Sequence, residues 1–408
     1  MELRKDRHWD WIMFSSLLFL IMSGIGLVYS ATYNESSTIM SSFWMKQCIY
    51  FGLGLSVAFG VRKIPLKWIQ SSAPILYVLS LILLFVVAAG AGTSVKGAGR
   101  WISLGGFRFQ PSEFAKVAYL ISLSSLMVGK KMSLSHLRGF IKPAILFIIP
   151  FILILKQPDL STALVFVALT LVSFYWSGLS KLEILVLVSP VVSIVLTFQA
   201  IAWWAMIVIV AVILWRLKLS IFVTTTILLI NLSAGFASFW IWTEGLKDHQ
   251  RSRILTFLDP LRDPMGAGYQ VIQSEVAIGS GGFMGKGFLD GSQTNLSFLP
   301  EEHTDFIFSV LGEQFGFIGS TLVICVFFVL ISRIVRVPTT VSNQFGGFLC
   351  VGIATILGFH IFVNIAMTLG MMPVTGLPLP FLSYGGSFVL TCMTLMGIVF
   401  SVQKHDSL

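Results

Sequence analysis

The stretch Leu299-Pro300-Glu301-Glu302-His303-Thr304-Asp305-Phe306 lies near the end of a long polar interruption, residues 244–316, in an otherwise apolar chain. This interruption holds ten of the 18 acidic residues of the protein. Outside it, apolar runs follow one another, and most of them are about 15 to 25 residues long, the length of a helix that crosses a lipid bilayer. The sequence therefore predicts a bundle of membrane helices that carries one polar working loop.

The composition excludes an ordinary soluble protein. Of the 408 residues, 56% are hydrophobic and only 11% are charged, with a mean hydropathy of +0.88. A soluble domain usually has about 25% charged residues. The net charge of +9 therefore indicates membrane topology rather than nucleic-acid binding. The cysteines show no CxxC spacing and indicate neither a disulfide framework nor a metal site.

Apolar runs suggest up to twelve spans in an all-α polytopic membrane protein of about 10–12 transmembrane helices. They lie at residues 11–31, 43–61, 72–90, 113–129, 143–155, 162–178, 183–199, 201–215, 219–241, 306–332, 346–370 and 383–402. With the N-terminus in the cytoplasm, alternation places 16 of the 27 Lys and Arg residues in inside segments, as the positive-inside rule requires. Both termini are then cytoplasmic, and the loop at 244–305 is extracytoplasmic and precedes the last three spans.

Three further segments, 91–112, 156–162 and 371–387, are predicted to lie on the same side of the membrane as this loop. The first and third are rich in Gly and Pro, which preclude long regular helices and let backbone approach a ligand closely. Their convergence on one face predicts an outward-facing functional site.

Two groups of charged residues in or near these segments are candidates for chemistry. Glu113 and Lys116 share a helix face at i and i+3, either as a functional ion pair at membrane depth or as a structural pair that locks two helices. Arg100 lies beside Trp101 and has two possible roles. Its guanidinium matches the geometry of phosphate oxygens and could bind a substrate phosphate. Alternatively, it contacts lipid headgroups while the ring of Trp101 anchors the chain at the membrane interface.

Asp305 lies where the polar loop ends and the next span begins, with Thr304 as a candidate helix N-cap. A carboxylate at a helix N-terminus is stabilised as an anion. This is compatible with a catalytic base and equally with a capping residue. Glu302 and His303 are near enough to tune Asp305, but they form no zinc motif, because H-E-x-x-H is absent.

The remaining polar features are weaker signals. The glycine cluster at 279–287 fails as a phosphate loop, because Ser280 stands where a glycine is needed and Gly287 replaces Ser/Thr. Asp159, and Asn364 with His360 one turn earlier, either face a substrate or make helix–helix hydrogen bonds, and the second interpretation is favoured.

Motifs along nearly the whole chain resemble those of the SEDS proteins (shape, elongation, division and sporulation), and RodA more than FtsW. They read Gly99-Arg100-Trp101-Ile102, Gln110-Pro111-Ser112-Glu113-Phe114-Ala115-Lys116, Lys156-Gln157-Pro158-Asp159, Arg253-Ile254-Leu255-Thr256-Phe257-Leu258-Asp259-Pro260, Asp263-Pro264-Met265-Gly266-Ala267-Gly268-Tyr269-Gln270, Leu299-Pro300-Glu301-Glu302-His303-Thr304-Asp305-Phe306 and Pro378-Leu379-Pro380-Phe381-Leu382-Ser383-Tyr384-Gly385-Gly386-Ser387.

The resemblance implies a single integral inner-membrane SEDS domain over residues 1–408. It would be a peptidoglycan glycosyltransferase that polymerises lipid II during cell-wall elongation, alongside a class B penicillin-binding protein and other elongation proteins. The family's essential loop aspartate falls on Asp305, the expected general base. No cofactor is certain, and Mg²⁺ or Mn²⁺ is the candidate. The residues expected to bind substrate are Arg100, Trp101, Glu113, Lys116, Asp159, Glu302, His303 and Ser383.

The chain departs from the family pattern at two places. Ser161 replaces the glycine that usually follows Gln-Pro-Asp-Leu, and residues 183–241 are long enough for three spans where the family usually has one. Two other functions stay open: a transporter that flips lipid II, and a non-catalytic scaffold for a penicillin-binding protein. A transporter predicts ionisable residues spread through the spans, and a scaffold predicts that Asp305 is dispensable.

Overall fold

A computed structural model describes residues 9–33, 42–95, 98–104, 107–245, 255, 257, 259–264, 268–295 and 300–405. Each of the twelve apolar runs forms a helix in it. These helices are α1 (Trp11–Ala31), α2 (Phe43–Arg62), α3 (Leu66–Val86), α4 (Pro111–Met127), α5 (Arg138–Lys156), α6 (Leu160–Trp176), α7 (Lys181–Leu196), α8 (Ala200–Arg216), α9 (Ile221–Trp240), α12 (Ile307–Thr340), α13 (Gln344–Thr368) and α14 (Gly386–His405).

Seven of the helices in the described part of the chain are long and apolar enough to cross a membrane, and α6 and α8 are shorter apolar helices. The prediction of an all-α polytopic membrane protein is therefore confirmed. The number of helices that cross the bilayer and the cytoplasmic placement of both termini stay predictions. α13 and α14 are the most enclosed of the seven candidate spans, which places them at the centre of the bundle.

Polar side chains in the connections fix where several helices begin. Asp10 accepts a hydrogen bond from the backbone N–H of Met13, and Asp159 accepts one from Thr162. Ser180 and Glu183 form a reciprocal capping box at the start of α7. These side chains satisfy backbone N–H groups that have no partner inside the helix.

The glycine-rich stretch between α3 and α4 forms a small antiparallel sheet that the sequence did not predict. Its strands are β1 (Thr93–Val95), β2 (Ala98–Leu104) and β3 (Phe107–Phe109), in the order β1-β2-β3. The register pairs Thr93 with Trp101 and Ser103 with Arg108. The expectation that no long helix forms here is correct, and the backbone satisfies its hydrogen bonds as strands instead.

The polar loop also contains a helix that was not predicted, α10 (Tyr269–Gly281), and one further turn, α11 (Ser292–Asn295). Two of its glycines, Gly281 and Gly285, pack directly against α12, which is interrupted at Gly316, where φ is +62°. A Cβ atom on Gly281 would collide with a carbonyl oxygen of α12, and Phe317 N donates to Gly282 O over 3.0 Å. The glycine cluster is therefore a backbone packing surface, in agreement with its failure as a phosphate loop.

Residues 181–240 form the three helices α7, α8 and α9, with their own hydrophobic cluster centred on Trp203, Val210 and Leu214. Trp203 Nε1 on α8 donates a 2.7 Å hydrogen bond to Ser193 Oγ on α7. The structure thus contains three helices in the region where the family pattern leads one to expect a single span.

Candidate functional site

Several of the predicted site residues meet around a short irregular stretch, residues 375–378, which we call the 375–378 segment. Asn364 on α13 donates from Nδ2 to the carbonyl of Leu377 over 2.7 Å and to the carbonyl of Asp305 over 2.8 Å. Asn364 is fully buried. One amide group therefore fixes the backbone of Asp305 against the 375–378 segment.

A buried ion pair on α4 contacts His360, which lies one turn before Asn364 on α13. Lys116 Nζ is 2.8 Å from Glu113 Oε1 and 3.0 Å from His360 Nε2. Nδ1 of His360 is 3.2 Å from the carbonyl of Pro378, which can only accept, so Nδ1 carries the proton and Nε2 accepts from the Lys116 ammonium. The ring of Phe388 stacks on His360. Lys116 is 1% exposed and Glu113 4%, so this pair is closed to solvent.

Asp305 lies at the junction of the polar loop and α12, two residues before the first residue of the helix. Its backbone N–H donates to the carbonyl of Glu301 over 3.1 Å, and its side chain is only partly buried. A Cβ atom on Gly376, where φ is +70°, would lie 3.4 Å from Asp305 Oδ2. The 375–378 segment therefore passes directly beside the Asp305 carboxylate.

Thr304 is not the N-cap of α12, contrary to the prediction. The cap position is Phe306, without a side-chain hydrogen bond. Thr304 Oγ1 instead donates to the carbonyl and to Oε2 of Glu301, over 3.2 and 3.0 Å. Thr304 thus closes the turn before the helix through two acceptors of Glu301.

Arg100 and Asp159 lie together at the start of α6, close in sequence to Ser161. The Arg100 guanidinium donates to the carbonyls of Gln157 (3.0 Å) and Pro158, and lies 3.7 Å from Asp159 Oδ1. The Arg100 side chain keeps 29% of its surface exposed. Ser161 Oγ, at the family's glycine position, donates to the carbonyl of Thr375 over 2.6 Å and so joins this corner to the 375–378 segment.

Trp101 follows Arg100 on β2, where successive side chains point to opposite faces. Its ring therefore points away from the guanidinium. The role of Trp101 in substrate binding stays a prediction.

His303 and Ser383 hold the far end of the site. The carbonyl of His303 accepts from Tyr384 N over 2.9 Å, and the ring of Phe43 lies 4.5 Å from the His303 ring. Ser383 is fully buried, and its hydroxyl accepts from Leu379 N over 2.8 Å, which fixes a tight turn. Burial raises the pKa of Tyr384 above its ordinary value. Glu302, next to His303 in the chain, is also buried. Neither Glu302 nor Ser383 is therefore exposed to solvent.

The structure thus brings together Asp305, Glu113 and Lys116 through α13, and Arg100 and Asp159 through Ser161. Sequence analysis favours only helix–helix hydrogen bonds for His360 and Asn364, although their i, i+4 spacing signals that they share one helix face. Their acceptors are backbone carbonyls, which no side-chain motif reveals.

Glu313 was counted only as one of the loop acids, yet it is fully buried. Its Oε1 accepts from Lys286 Nζ and from Gln293 N, both over 2.9 Å, and its Oε2 accepts from Thr294 Oγ1 over 2.9 Å. With these partners the carboxylate anchors α11 to α12, and we interpret it as a structural group.

The fold defines a polytopic α-helical membrane protein with a polar site at one end of its bundle. The comparisons with known proteins give its family. Residues 10–206 and 202–408 match the family of FtsW, RodA and SpoVE, described as "Cell cycle protein". The chain belongs to this family, which is the SEDS family that the motifs indicated.

Relatives and solved structures cover the whole length. The chain is 35% identical over 402 residues to peptidoglycan glycosyltransferase MrdB of Escherichia coli K12, covering 98% of this chain and 96% of that protein. It is 31% identical over 437 residues to peptidoglycan glycosyltransferase RodA of Treponema pallidum, covering 100% of both. One solved structure describes the structural coordination of polymerization and crosslinking by a peptidoglycan synthase complex. A chain of that structure is similar to this protein, with a TM-score of 0.73 and 27% identity, covering 98% of this chain and 99% of that chain. The rod shape determining protein RodA of Thermus thermophilus shares the fold, with a TM-score of 0.65, 24% identity and 99% coverage of both chains.

Proposed function

We propose that this protein is a peptidoglycan glycosyltransferase that polymerises lipid II into glycan strands during cell-wall elongation. The glycosyltransferase activity rests on full-length similarity to peptidoglycan glycosyltransferases. The geometry adds one observation that carries the mechanism. A partly exposed carboxylate, Asp305, lies beside the 375–378 segment. A partly exposed guanidinium, Arg100, lies 3.7 Å from Asp159 Oδ1, two residues before the Ser161 that binds the same segment.

The reaction forms one bond and breaks one. The 4-hydroxyl of a sugar on one lipid II attacks the anomeric carbon of a second glycan. The bond from that carbon to the pyrophosphate oxygen breaks, the pyrophosphate leaves with the electron pair, and the configuration inverts. Asp305 takes the hydroxyl proton as general base, a role that contributes typically about 10²–10⁴-fold in rate. Its place before the N-terminus of α12 favours the anionic form that a base requires.

Arg100 is the group that we assign to the leaving pyrophosphate. A guanidinium has five N–H donors in a planar fork, and partial exposure leaves part of that fork open to a ligand. Lys116 was the other basic candidate, but it is buried between Glu113 and His360. We assign Lys116 and Glu113 to positioning the 375–378 segment rather than to contact with the pyrophosphate.

A divalent cation is a second source of positive charge. In the described part of the chain, no three His, Cys, Asp or Glu side chains converge as a metal site. Mg²⁺ and Mn²⁺ sites commonly combine one or two carboxylates with substrate phosphates, and Asp305 with the pyrophosphate is a donor set of this kind. Such an ion would neutralise charge that develops on the leaving group.

Two features support an enzyme over a transporter or scaffold. Glu113, Lys116 and His360 form one buried group that adjoins the segment beside Asp305, whereas transport requires polar groups along a path through the bilayer. A scaffold has no need of a partly exposed carboxylate, Asp305, at a segment whose other anchor, Ser161, lies two residues after the partner of Arg100. We place the site on the extracytoplasmic face of the inner membrane, on the positive-inside argument.

A class B penicillin-binding protein is the proposed partner, which would crosslink the strands. Similarity to a chain of a peptidoglycan synthase complex supports this assignment. Membrane lipid surrounds the apolar helices, and other elongation proteins would complete the assembly.

The test is Asp305→Asn in purified protein with its partner synthase, assayed for glycan-strand formation from lipid II. We expect polymer to fall by at least about 10²-fold, since the base is lost while the shape is kept. The matched control is Asp290→Asn, an exposed carboxylate in the same polar loop. Retained polymerisation with Asp305→Asn, in an intact complex, would contradict the assignment of the base. Wild-type protein that makes no polymer beside an active partner would contradict the function itself.

A further inference from the structure

An apolar groove opens between α3 and α5, near the end of the bundle that carries Arg100. Its volume is about 490 Å³, and every side chain that lines it is apolar. The walls include Leu81, Ile82 and Phe85 of α3 and Ile149, Ile152 and Leu153 of α5. Phe85 is 63% exposed and Ile82 54%, so the groove faces the surroundings of the bundle, which are hydrocarbon in a membrane.

Hydrogen bonds join the two helices at both ends of the groove. Tyr77 Oη donates to the carbonyl of Leu146 over 2.8 Å, and Gln157 Nε2 donates to the carbonyl of Leu84 over 3.0 Å. The distance from residue 77 to residue 84 along α3 is about 10 Å at 1.5 Å per residue. A transmembrane helix is about 10–12 Å wide and about 30 Å long, whereas a single flexible hydrocarbon chain is narrower and fits this short slot better.

The end of the groove at Gln157 is also the point where positive charge lies. Gln157 binds α3 through its side chain and Arg100 Nε through its carbonyl, over 3.0 Å. Apolar walls that end at a partly exposed guanidinium match a lipid whose phosphate is attached directly to one hydrocarbon chain. A phospholipid with two acyl chains on glycerol is a poorer match to one short slot.

We propose that this groove holds the first isoprenoid units of a polyprenyl-pyrophosphate-linked glycan, with its pyrophosphate at Arg100. The inference rests on the proposed function and adds to it an assignment of the donor. Because Arg100 meets the pyrophosphate, the chain in the groove belongs to the substrate whose pyrophosphate leaves. Ser161 joins this corner to the 375–378 segment, so the anomeric carbon of that substrate would lie toward Asp305. After transfer, the polyprenyl pyrophosphate stays in the groove until it exits into the bilayer.

The test uses a photoreactive polyprenyl pyrophosphate without sugar, bound to the full-length protein in phosphatidylglycerol nanodiscs, with the crosslinked peptides mapped by mass spectrometry. We expect label on α3 and α5. Ile149→Trp fills the groove and is expected to reduce labelling by about tenfold, as for a ligand that must displace an inserted ring. Ile145→Trp is the matched control, because it lies one turn away on α5, is 56% exposed and does not line the groove.

A second pair of variants shows whether a loss of labelling comes from a filled groove or from misfolding. Ile82→Trp fills the groove from the opposite wall and should give the same loss, whereas Ile75→Trp on α3, at a site 71% exposed, should not. Labelling that is unchanged in both groove variants would overturn the proposal. So would labelling that excess unlabelled polyprenyl pyrophosphate does not reduce, because the probe then enters the groove only as bulk lipid of the phosphatidylglycerol bilayer.

The labelling requires no catalysis, so it separates the two proposals. Wild-type protein that polymerises lipid II but is not labelled in the groove would contradict the proposed polyprenyl site and would leave the proposed glycosyltransferase activity standing. Wild-type protein that is labelled in the groove but never polymerises lipid II would contradict the proposed glycosyltransferase activity and would leave the polyprenyl-pyrophosphate site standing.

Discussion

The buried pair of Glu113 and Lys116 gives the sharpest prediction, because two interpretations of it were open from the sequence. We consider Glu113→Leu, Lys116→Met and the double variant. Each single change leaves one charge buried without its counter-ion, since both side chains are at most 5% exposed. The double change removes both charges and keeps an apolar filling of similar size.

The expected magnitudes follow from this burial. Breaking a buried ion pair by removing one partner costs about 3–5 kcal/mol, whereas replacing both partners with apolar groups is often neutral. In the double variant His360 Nε2 also loses its donor, which costs about 1–3 kcal/mol for a buried acceptor left unpaired. We therefore expect the double variant to be more stable than either single variant and less stable than the wild type.

The assay is the unfolding midpoint of each protein in one detergent, read beside lipid II polymerisation. Losses of stability that simply add in the double variant would refute the reasoning, because the two charges would then not compensate each other. If the double variant recovers both stability and polymerisation, the pair is a structural lock, as we assign it. Recovered stability without polymerisation would assign the charges to chemistry and contradict that assignment.

Three further changes test the packing around the site. Gly376→Ala places a Cβ atom at φ +70° and 3.4 Å from Asp305 Oδ2, so we expect a lower kcat at nearly unchanged KM for lipid II; an unchanged kcat would contradict the contact. Ser161→Ala removes one partly buried hydrogen bond to the 375–378 segment and is expected to cost about 0.5–1.5 kcal/mol in unfolding free energy; no measurable loss would count against that bond. Gly281→Ala collides with α12 backbone and should lower the unfolding midpoint strongly, whereas Gly279→Ala, with nothing within 4 Å of its Cβ, should not; equal midpoints would argue against close packing there.

The sequence by itself determined the secondary structure of the membrane part and the identity of the polar loop. Twelve apolar runs became twelve helices, because in hydrocarbon a chain must satisfy its own backbone hydrogen bonds and a helix does so locally. The loop acids were visible for the same reason, since charge is rare in such a composition. The candidate status of Asp305, Arg100 and Glu113 with Lys116 was likewise readable from residue type, spacing and family motifs.

Only the tertiary structure decided what those residues touch. The bonds that assemble the site run from side chains on α13 and α6 to backbone carbonyls of the 375–378 segment, and a carbonyl is present at every residue, so no pattern of side chains marks it. The small sheet and α10 were missed because short polar, glycine-rich stretches carry weak periodicity. Lys116 is buried by residues far away in the chain, such as His360. Local spacing does not encode packing between distant segments. For this reason only the structure supports the assignment of Lys116 as a positioning group and not as a contact for the pyrophosphate.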